Sequence, residues 1–386
     1  MTNLRLRTPS FHHAAFGLSC AYGLLVFCQL TTHTTEFASD LQAHVDFVLH
    51  PAGNPAAGYS LLHQLCGWML AWSGLEGVNA QTFASGAMAA LLVAVLHGSL
   101  HAVHAHFKRV YPGRNEWLLA GCTLAAFLAS MIILFKDVRY LGVFTPNPWH
   151  NPTYSFGRYF SILAFFQFVG LLGPGERATP GRLAALAVFT ALSVWGKPSF
   201  LIGFLPAAVA VLGWAWLRRW LEPRQALLRA AALLPAVLVL AWIDHKVFAS
   251  GAATDRVVFA PGQGWGLYTP SFAMSITLGM LFPLYVLAVR LRDLSRTMLT
   301  ASLTWAASCG AFLLLAETGA RAGHANFAWC YMSGMFFMHL AAIGEWFLRP
   351  PVGNLLLRWV GTVLFLMHLL SGLYYFLTML GGAPYA

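Results

Sequence analysis

The feature that most constrains this chain is a succession of apolar runs, each long enough to cross a bilayer. They fall at about 12–31, 81–104, 117–135, 158–173, 183–196, 199–216, 227–247, 271–290, 297–316, 326–347 and 357–379. Charged residues make up 9% of the 386 positions and hydrophobic residues 58%, with a mean hydropathy of +0.65. A soluble domain of this size would need more charge than that to cover its surface. The expectation is an all-α polytopic membrane protein with about 11 transmembrane helices. It forms a single transmembrane domain over residues 1–386, because no connection is long enough to hold a separate soluble domain. The basic N-terminus with Arg5 and Arg7, followed by Phe11–Thr32, reads as a retained first span. Its apolar run is too long for a signal peptide and no small-residue cleavage site follows.

One segment, Tyr59–Leu75, is ambiguous. It holds His63 and Gln64 and follows the breaker-rich stretch 51–58. Cytoplasmic loops collect lysine and arginine, and that bias decides the segment. If it does not cross, sixteen of the 23 basic residues share the side of Arg5 and Arg7, Lys108, Arg109 and Arg114 among them. The other seven are Lys136, Arg139, Arg158, Lys197, Lys246, Arg256 and Arg321. The expected topology has the N-terminus in the cytoplasm and an outer loop at 32–80 with juxtamembrane helices. The net charge of +10 follows from this bias, and no basic run on a soluble module suggests nucleic acid. The six cysteines lie in or beside apolar runs without CxxC spacing, as small core residues do.

Polar chemistry collects in the outer connections. In Thr35–Phe47, Ser39 and Gln42 have capping-box spacing, which predicts a short helix with Asp40 in its first turn. His44 lies four residues on, on the same face, with Leu41, Val45 and Val48 as an apolar stripe. Asp46 and Glu36 fall off that face. The next outer connection, residues 136–158, carries Asp137, His150, Asn151 and Arg158 among prolines and aromatics. Lys197, in a Gly-Lys-Pro turn, is the only charge between Arg182 and Arg218. It is either a snorkelling surface lysine or an anion contact at the depth of a lipid phosphate. Arg158 and Arg321 allow the same two readings, and a guanidinium can hold phosphate through two parallel hydrogen bonds. Glu317 stands near Arg321. On the cytoplasmic side His97, His101 and His104 share a helix face at a spacing that could hold a metal, but without an acid or cysteine they read as interfacial imidazoles.

The order of these features resembles the GT-C superfamily of integral-membrane glycosyltransferases. There a first span leads to an outer loop with an essential acid near its start. Juxtamembrane helices and a second span ending in basic residues follow. Asp40 in SDLQAH, Tyr59–Leu75 and Lys108-Arg109 match those three features, over about the first 110 residues. The chain lacks the soluble outer domain of many members. The resemblance implies a GT-C-like fold and transfer of a sugar from a polyprenyl-phosphate donor to a glycan, lipid or protein acceptor. The site would lie on the outer face of a membrane, expected to be a bacterial cytoplasmic membrane. Within it Asp40 would be the general base and His44 its orienter or a second proton acceptor. Lys197, Arg158, Arg321, His150 and Asn151 would bind donor phosphate, and Glu317 would position Arg321 or the acceptor. No step needs a metal, although Asp40 with Asp137 could bind a divalent cation. Three other classes stay open: a lipid or solute transporter, an outward-facing glycan polymerase-ligase, and an acyltransferase. The last would need a histidine deep in the membrane, and His339 and His368 are the candidates.

Overall fold

A computed structural model describes residues 11–33, 39–53, 58–133, 145–173, 175–248, 256–269, 271–319, 322, 326–351 and 355–383. Its helices are α1 (Phe11–Thr31), α2 (Leu41–Leu49), α3 (Leu61–Ser73), α4 (Gly77–Val110), α5 (Glu116–Leu128), α6 (Pro152–Leu171) and α7 (Pro180–Gly196). They continue as α8 (Ser199–Leu217), α9 (Pro223–Ala231), α10 (Leu234–Phe248), α11 (Phe272–Arg290), α12 (Arg296–Leu314), α13 (Asn326–Ile343) and α14 (Leu355–Leu380). Several open on side-chain caps, and α6 begins at Pro152, ahead of the expected start at about 158. Asn115, Asn151, Thr179, Ser271 and Ser295 each accept a backbone N–H two or three residues on. Proline opens α6, α7 and α9, where its missing N–H costs nothing.

Eight helical segments are long and apolar enough to cross a membrane, as an integral membrane protein requires. The eleven expected spans are therefore matched in eight segments. Of the other three, α5 and α7 are short apolar helices of 13 and 17 residues, and α6 is 20 residues long but carries Arg158 within it. The shortness of α5 has a physical cause. The chain leaves the helix at Ala129 in extended geometry, and its next backbone groups bond to other helices. Ser130 N donates to His368 O at 3.1 Å, and Ile132 N donates to Leu278 O at 2.9 Å. Phe282 N–H turns instead to His368 Nε2 at 3.3 Å, while His368 Nδ1 donates to Ser130 O at 2.6 Å. Non-helical backbone survives inside an apolar bundle only when satisfied in this way. Both ring nitrogens of His368 are thus committed to holding backbone.

One helix is the axis of the bundle. The segment Asn326–Leu348, α13 with its terminal π turn, has 94% of its apolar window buried, against 28–50% for the other seven. It packs against α5, α8, α11 and α12. The all-α expectation needs one amendment, a ribbon of two three-residue strands. In it β1 (Val257–Phe259) pairs antiparallel with β2 (Leu315–Glu317), Val257 opposite Glu317.

Contacts between α1 and α4 fix the course of the first 110 residues. Phe11 stacks on His104 at 3.7 Å, His12 lies 5.2 Å from His101, and Ser19 bonds His97. As numbering rises on α1 it falls on α4, so the two helices are antiparallel. The intervening segment makes no net crossing, as expected for Tyr59–Leu75. Its helix, α3, has 13 residues, about 20 Å long against a hydrocarbon core of about 30 Å. Gly74, at φ 65°, ends it.

Candidate functional site

The site forms where α2, the loop before α6, and the turn between α7 and α8 meet. Asp40 is the N-cap residue of α2 rather than a residue of its first turn. The capping box expected from Ser39 and Gln42 does not form. Ser39 Oγ accepts from Leu41 N at 3.1 Å, but Gln42 reaches back to the Gln29 carbonyl at the end of α1. That bond ties α2 to α1, and the buried stripe Leu41, Val45 and Val48 holds its other side. The backbone carbonyl of His150 then fixes the entry to α2, accepting from Asp40 N and Ser39 Oγ, both at 3.2 Å.

Asn151 is the centre of the arrangement. Its amide Nδ2 donates to Asp40 Oδ2 at 2.7 Å. Its Oδ1 accepts from Tyr154 N (2.9 Å), Thr153 Oγ1 (3.0 Å) and Lys197 Nζ (3.0 Å). One side chain thus caps α6 and also bridges an acid to an ammonium. Lys197 reaches it because backbones meet: a Cβ added to Gly196 would stand 2.9 Å from Gly157 Cα. Lys197 Nζ also donates to Thr153 Oγ1 at 3.3 Å and lies 4.0 Å from the centre of the Trp329 ring.

Arg158, two turns into α6, is 6% exposed. Its Nη1 donates to Asn147 Oδ1 at 2.6 Å, and Asn147 in turn donates to Ala126 O and Ala129 O at the end of α5. Four rings surround the guanidinium at 5.1–5.9 Å: Phe127, Trp149, Tyr154 and Phe336. Its Nε has no hydrogen-bond partner. Arg158 and Lys197 line one small pocket with Tyr154, Ser161, Ser199 and Ser333. Among the described residues neither cation forms an ion pair.

Burial sets the charge states. It opposes ionisation of Asp40, but His150, His44, Asn151 and Lys197 outweigh it, and the carboxyl titrates below its ordinary value. Burial pushes His44 to about 3 and His150 to about 4, so both are neutral at pH 7. Lys197 falls to about 7 because it is buried, and Asp40 only partly offsets this. At neutral pH the site holds an ionised carboxylate, neutral imidazoles and a lysine that gains or loses its proton with little cost.

Six of the residues singled out in the sequence are brought together: Asp40, His44, His150, Asn151, Arg158 and Lys197. Glu317 instead lines a second small pocket, with Gln263, Phe312 and Phe327, and accepts from Asn326 Nδ2. Arg321 and Asp137 lie outside the described residues. Further residues join the site without a distinguishing signal in the sequence. His63 Nε2 lies 2.7 Å from His44 Nδ1, Tyr375 OH lies 3.2 Å from His150 Nδ1, and Trp329 faces Lys197. Tyr268 is close enough for the charge of Asp40, after burial, to raise its phenol pKa. The deep histidines are structural: His339 Nδ1 lies 3.1 Å from the Met335 carbonyl of its own helix, and His368 holds backbone as described. At the other end of the bundle one expectation is corrected. An acid does accompany the histidine face, since Glu116 accepts from His104 at 2.7 Å and from Lys108 at 3.3 Å. No protein-family model matches this chain, and a search of curated proteins finds no match.

Proposed function

We propose that this protein is an integral-membrane glycosyltransferase that takes its sugar from a polyprenyl-phosphate donor. The observation that carries the reading is the Asp40–Asn151–Lys197 relay. A carboxylate and an ammonium stand on opposite sides of one amide, beside a cavity that also receives Arg158. Glycosyl transfer from a lipid phosphate needs both parts. The acceptor hydroxyl oxygen attacks the anomeric carbon as Asp40 takes its proton. The bond from that carbon to the phosphate oxygen breaks, and the phosphate leaves with the electron pair and a second negative charge. Lys197 and Arg158 meet that charge, where preorganised cations are worth most. Attack opposite the leaving group inverts the anomeric centre. Asn151 keeps the carboxylate turned toward the acceptor side, and the neutral rings of His44 and His63 can carry the proton onward.

The GT-C-like layout, about eleven crossings with α5, α6 and α7 as short ones, and a site on the outer face of a bacterial cytoplasmic membrane belong to the same proposal. So do the lipid-linked donor and the glycan, lipid or protein acceptor. The test is Asp40→Asn in membranes supplied with polyprenyl-phosphate sugar. Loss of a general base costs about 10²–10⁴-fold, so transfer should fall by that factor at unchanged expression. Full activity in the variant rules the assignment out.

A further inference from the structure

At the end of the α1–α4 pair away from Asp40, three imidazoles gather: His97 and His101 on α4 and His12 on α1. His97 Nε2 and His101 Nε2 face each other at 3.1 Å. The tautomer of His97 follows from its neighbour. Ser19 Oγ donates its one proton to Ala15 O at 2.8 Å, so toward His97 Nδ1, 3.1 Å away, it can only accept. His97 therefore carries its proton on Nδ1 and turns a lone pair at Nε2 toward His101. A histidine ligand bound to a metal is oriented in the same way, with its far N–H held by an oxygen. Two imidazole nitrogens on tetrahedral zinc stand about 3.3 Å apart, with ring centres about 5 Å apart. The ring centres here are 4.6 Å apart for His97–His101 and 5.2 Å for His12–His101.

We infer that His97, His101 and His12 bind a divalent transition metal of the zinc type, pinning the start of α1 to α4. Among the described residues no three ligand side chains already converge on one point. Two do, and the exposed ring of His12 has only to turn. Binding releases the proton of His101 Nε2 or moves it to Nδ1, leaving both lone pairs on the metal. Neighbouring His104 is not needed, since its Nε2 is held by Glu116. This site does not depend on the transferase reading.

Zinc chloride alone serves as the probe, added to the purified full chain in detergent after chelator treatment and removal of any histidine tag. Calorimetry with metal analysis should find one zinc per chain at neutral pH. Affinity should fall at least tenfold in each of His12→Ala, His97→Gln and His101→Gln. The thermal midpoint should rise with zinc concentration in the parent chain and not in these variants. His101→Cys keeps a zinc ligand and should retain binding, which separates a lost ligand from a lost fold. The site is overturned by a parent chain that takes up no zinc, or by parental affinity in any of the three variants.

Discussion

The two ends of the bundle surround their cations differently. Away from Asp40, the partly exposed cations meet carboxylates: Arg349 pairs with Asp293 and Glu345, Arg182 with Glu176, and Lys108 with Glu116, while the fully buried Arg229 donates to backbone carbonyls and the Gln225 amide. At the Asp40 end, among the described residues, Lys197 and Arg158 form no ion pair and meet amides, hydroxyls and aromatic faces. Burying a charge costs several kcal/mol unless a partner offsets it. The ion pairs of the other end are largely solvent-exposed, and the one buried carboxylate among them, Glu345, has its cost offset by Arg349. The unpaired end has left two cations around a cavity, an arrangement that becomes favourable when an anion enters. Charged groups clustered inside a membrane protein mark function more often than anchoring, and the contrast separates the two uses within one molecule.

The contrast can be broken by removing a cation from each end. Glu345 is 1% exposed, and Arg349, 37% exposed on its side chain, is its ion-pair partner. Arg349→Met leaves a buried carboxylate uncompensated and should cost about 2–3 kcal/mol. That is the lower side of the buried-pair range, because Arg349 also reaches solvent. Arg158→Met should cost less. It removes a buried charge without an ion-pair partner but also orphans Asn147 Oδ1, so thermal stability should fall less than in Arg349→Met, while affinity for polyprenyl phosphate drops about tenfold or more. Detergent melting curves and lipid-phosphate binding on the two variants check both. If Arg158→Met destabilises as much as Arg349→Met, the two ends do not differ in kind.

Much of the bundle was legible in the sequence because its signals are local. Apolar length placed most helices, and the basic bias left α3 uncrossed. Lys197 stood out as the only charge between Arg182 and Arg218, and Asp40 by its place at a helix start four residues before His44. What was hidden depends on partners far along the chain. The exit of α5 at Ala129 makes sense only with Leu278 and His368 in place to receive its backbone. Glu116 joins His104 because the chain turns back between α4 and α5. Trp329 and Tyr375 look like ordinary interfacial aromatics until Lys197 and His150 are set against them. Asn151 was visible as a residue, but its joining of Asp40 to Lys197 was not, since that needs three separate elements to meet.

A smaller effect sharpens how the unpaired end is built. Gly196→Ala puts a methyl group 2.9 Å from Gly157 Cα, which is backbone and cannot turn aside. Overpacking of this kind costs about 1–3 kcal/mol. The turn should lift away from α6 and carry Lys197 off Asn151, so transfer falls along with the melting temperature. Gly121→Ala, with nothing within 4 Å of the new methyl, should change neither. Equal tolerance at both positions would mean that the close approach does not hold the site.

The smallest expected effect is on pH dependence, and it tests whether Lys197 is the cation that an anion meets. Its pKa of about 7 comes from burial, so the ammonium is present below pH 7 and disappears as pH rises through that value. Asp40 titrates below the ordinary carboxylate range and stays ionised throughout, and the imidazoles of His44 and His150, at about 3 and 4, stay neutral. A sugar–phosphodiester donor keeps one negative charge from pH 6 to 9, so a change in its affinity over that interval belongs to the protein. Affinity should therefore fall between pH 7 and 9. Bound phosphate favours the ammonium and shifts the fall to somewhat higher pH than in the free protein. Lys197→Arg, whose guanidinium keeps its charge, should flatten the profile, and Lys197→Met should give a flat profile at lower affinity. A parent profile that is already flat would leave Arg158 as the cation that receives the phosphate, and Lys197 as a partner of Asn151 alone.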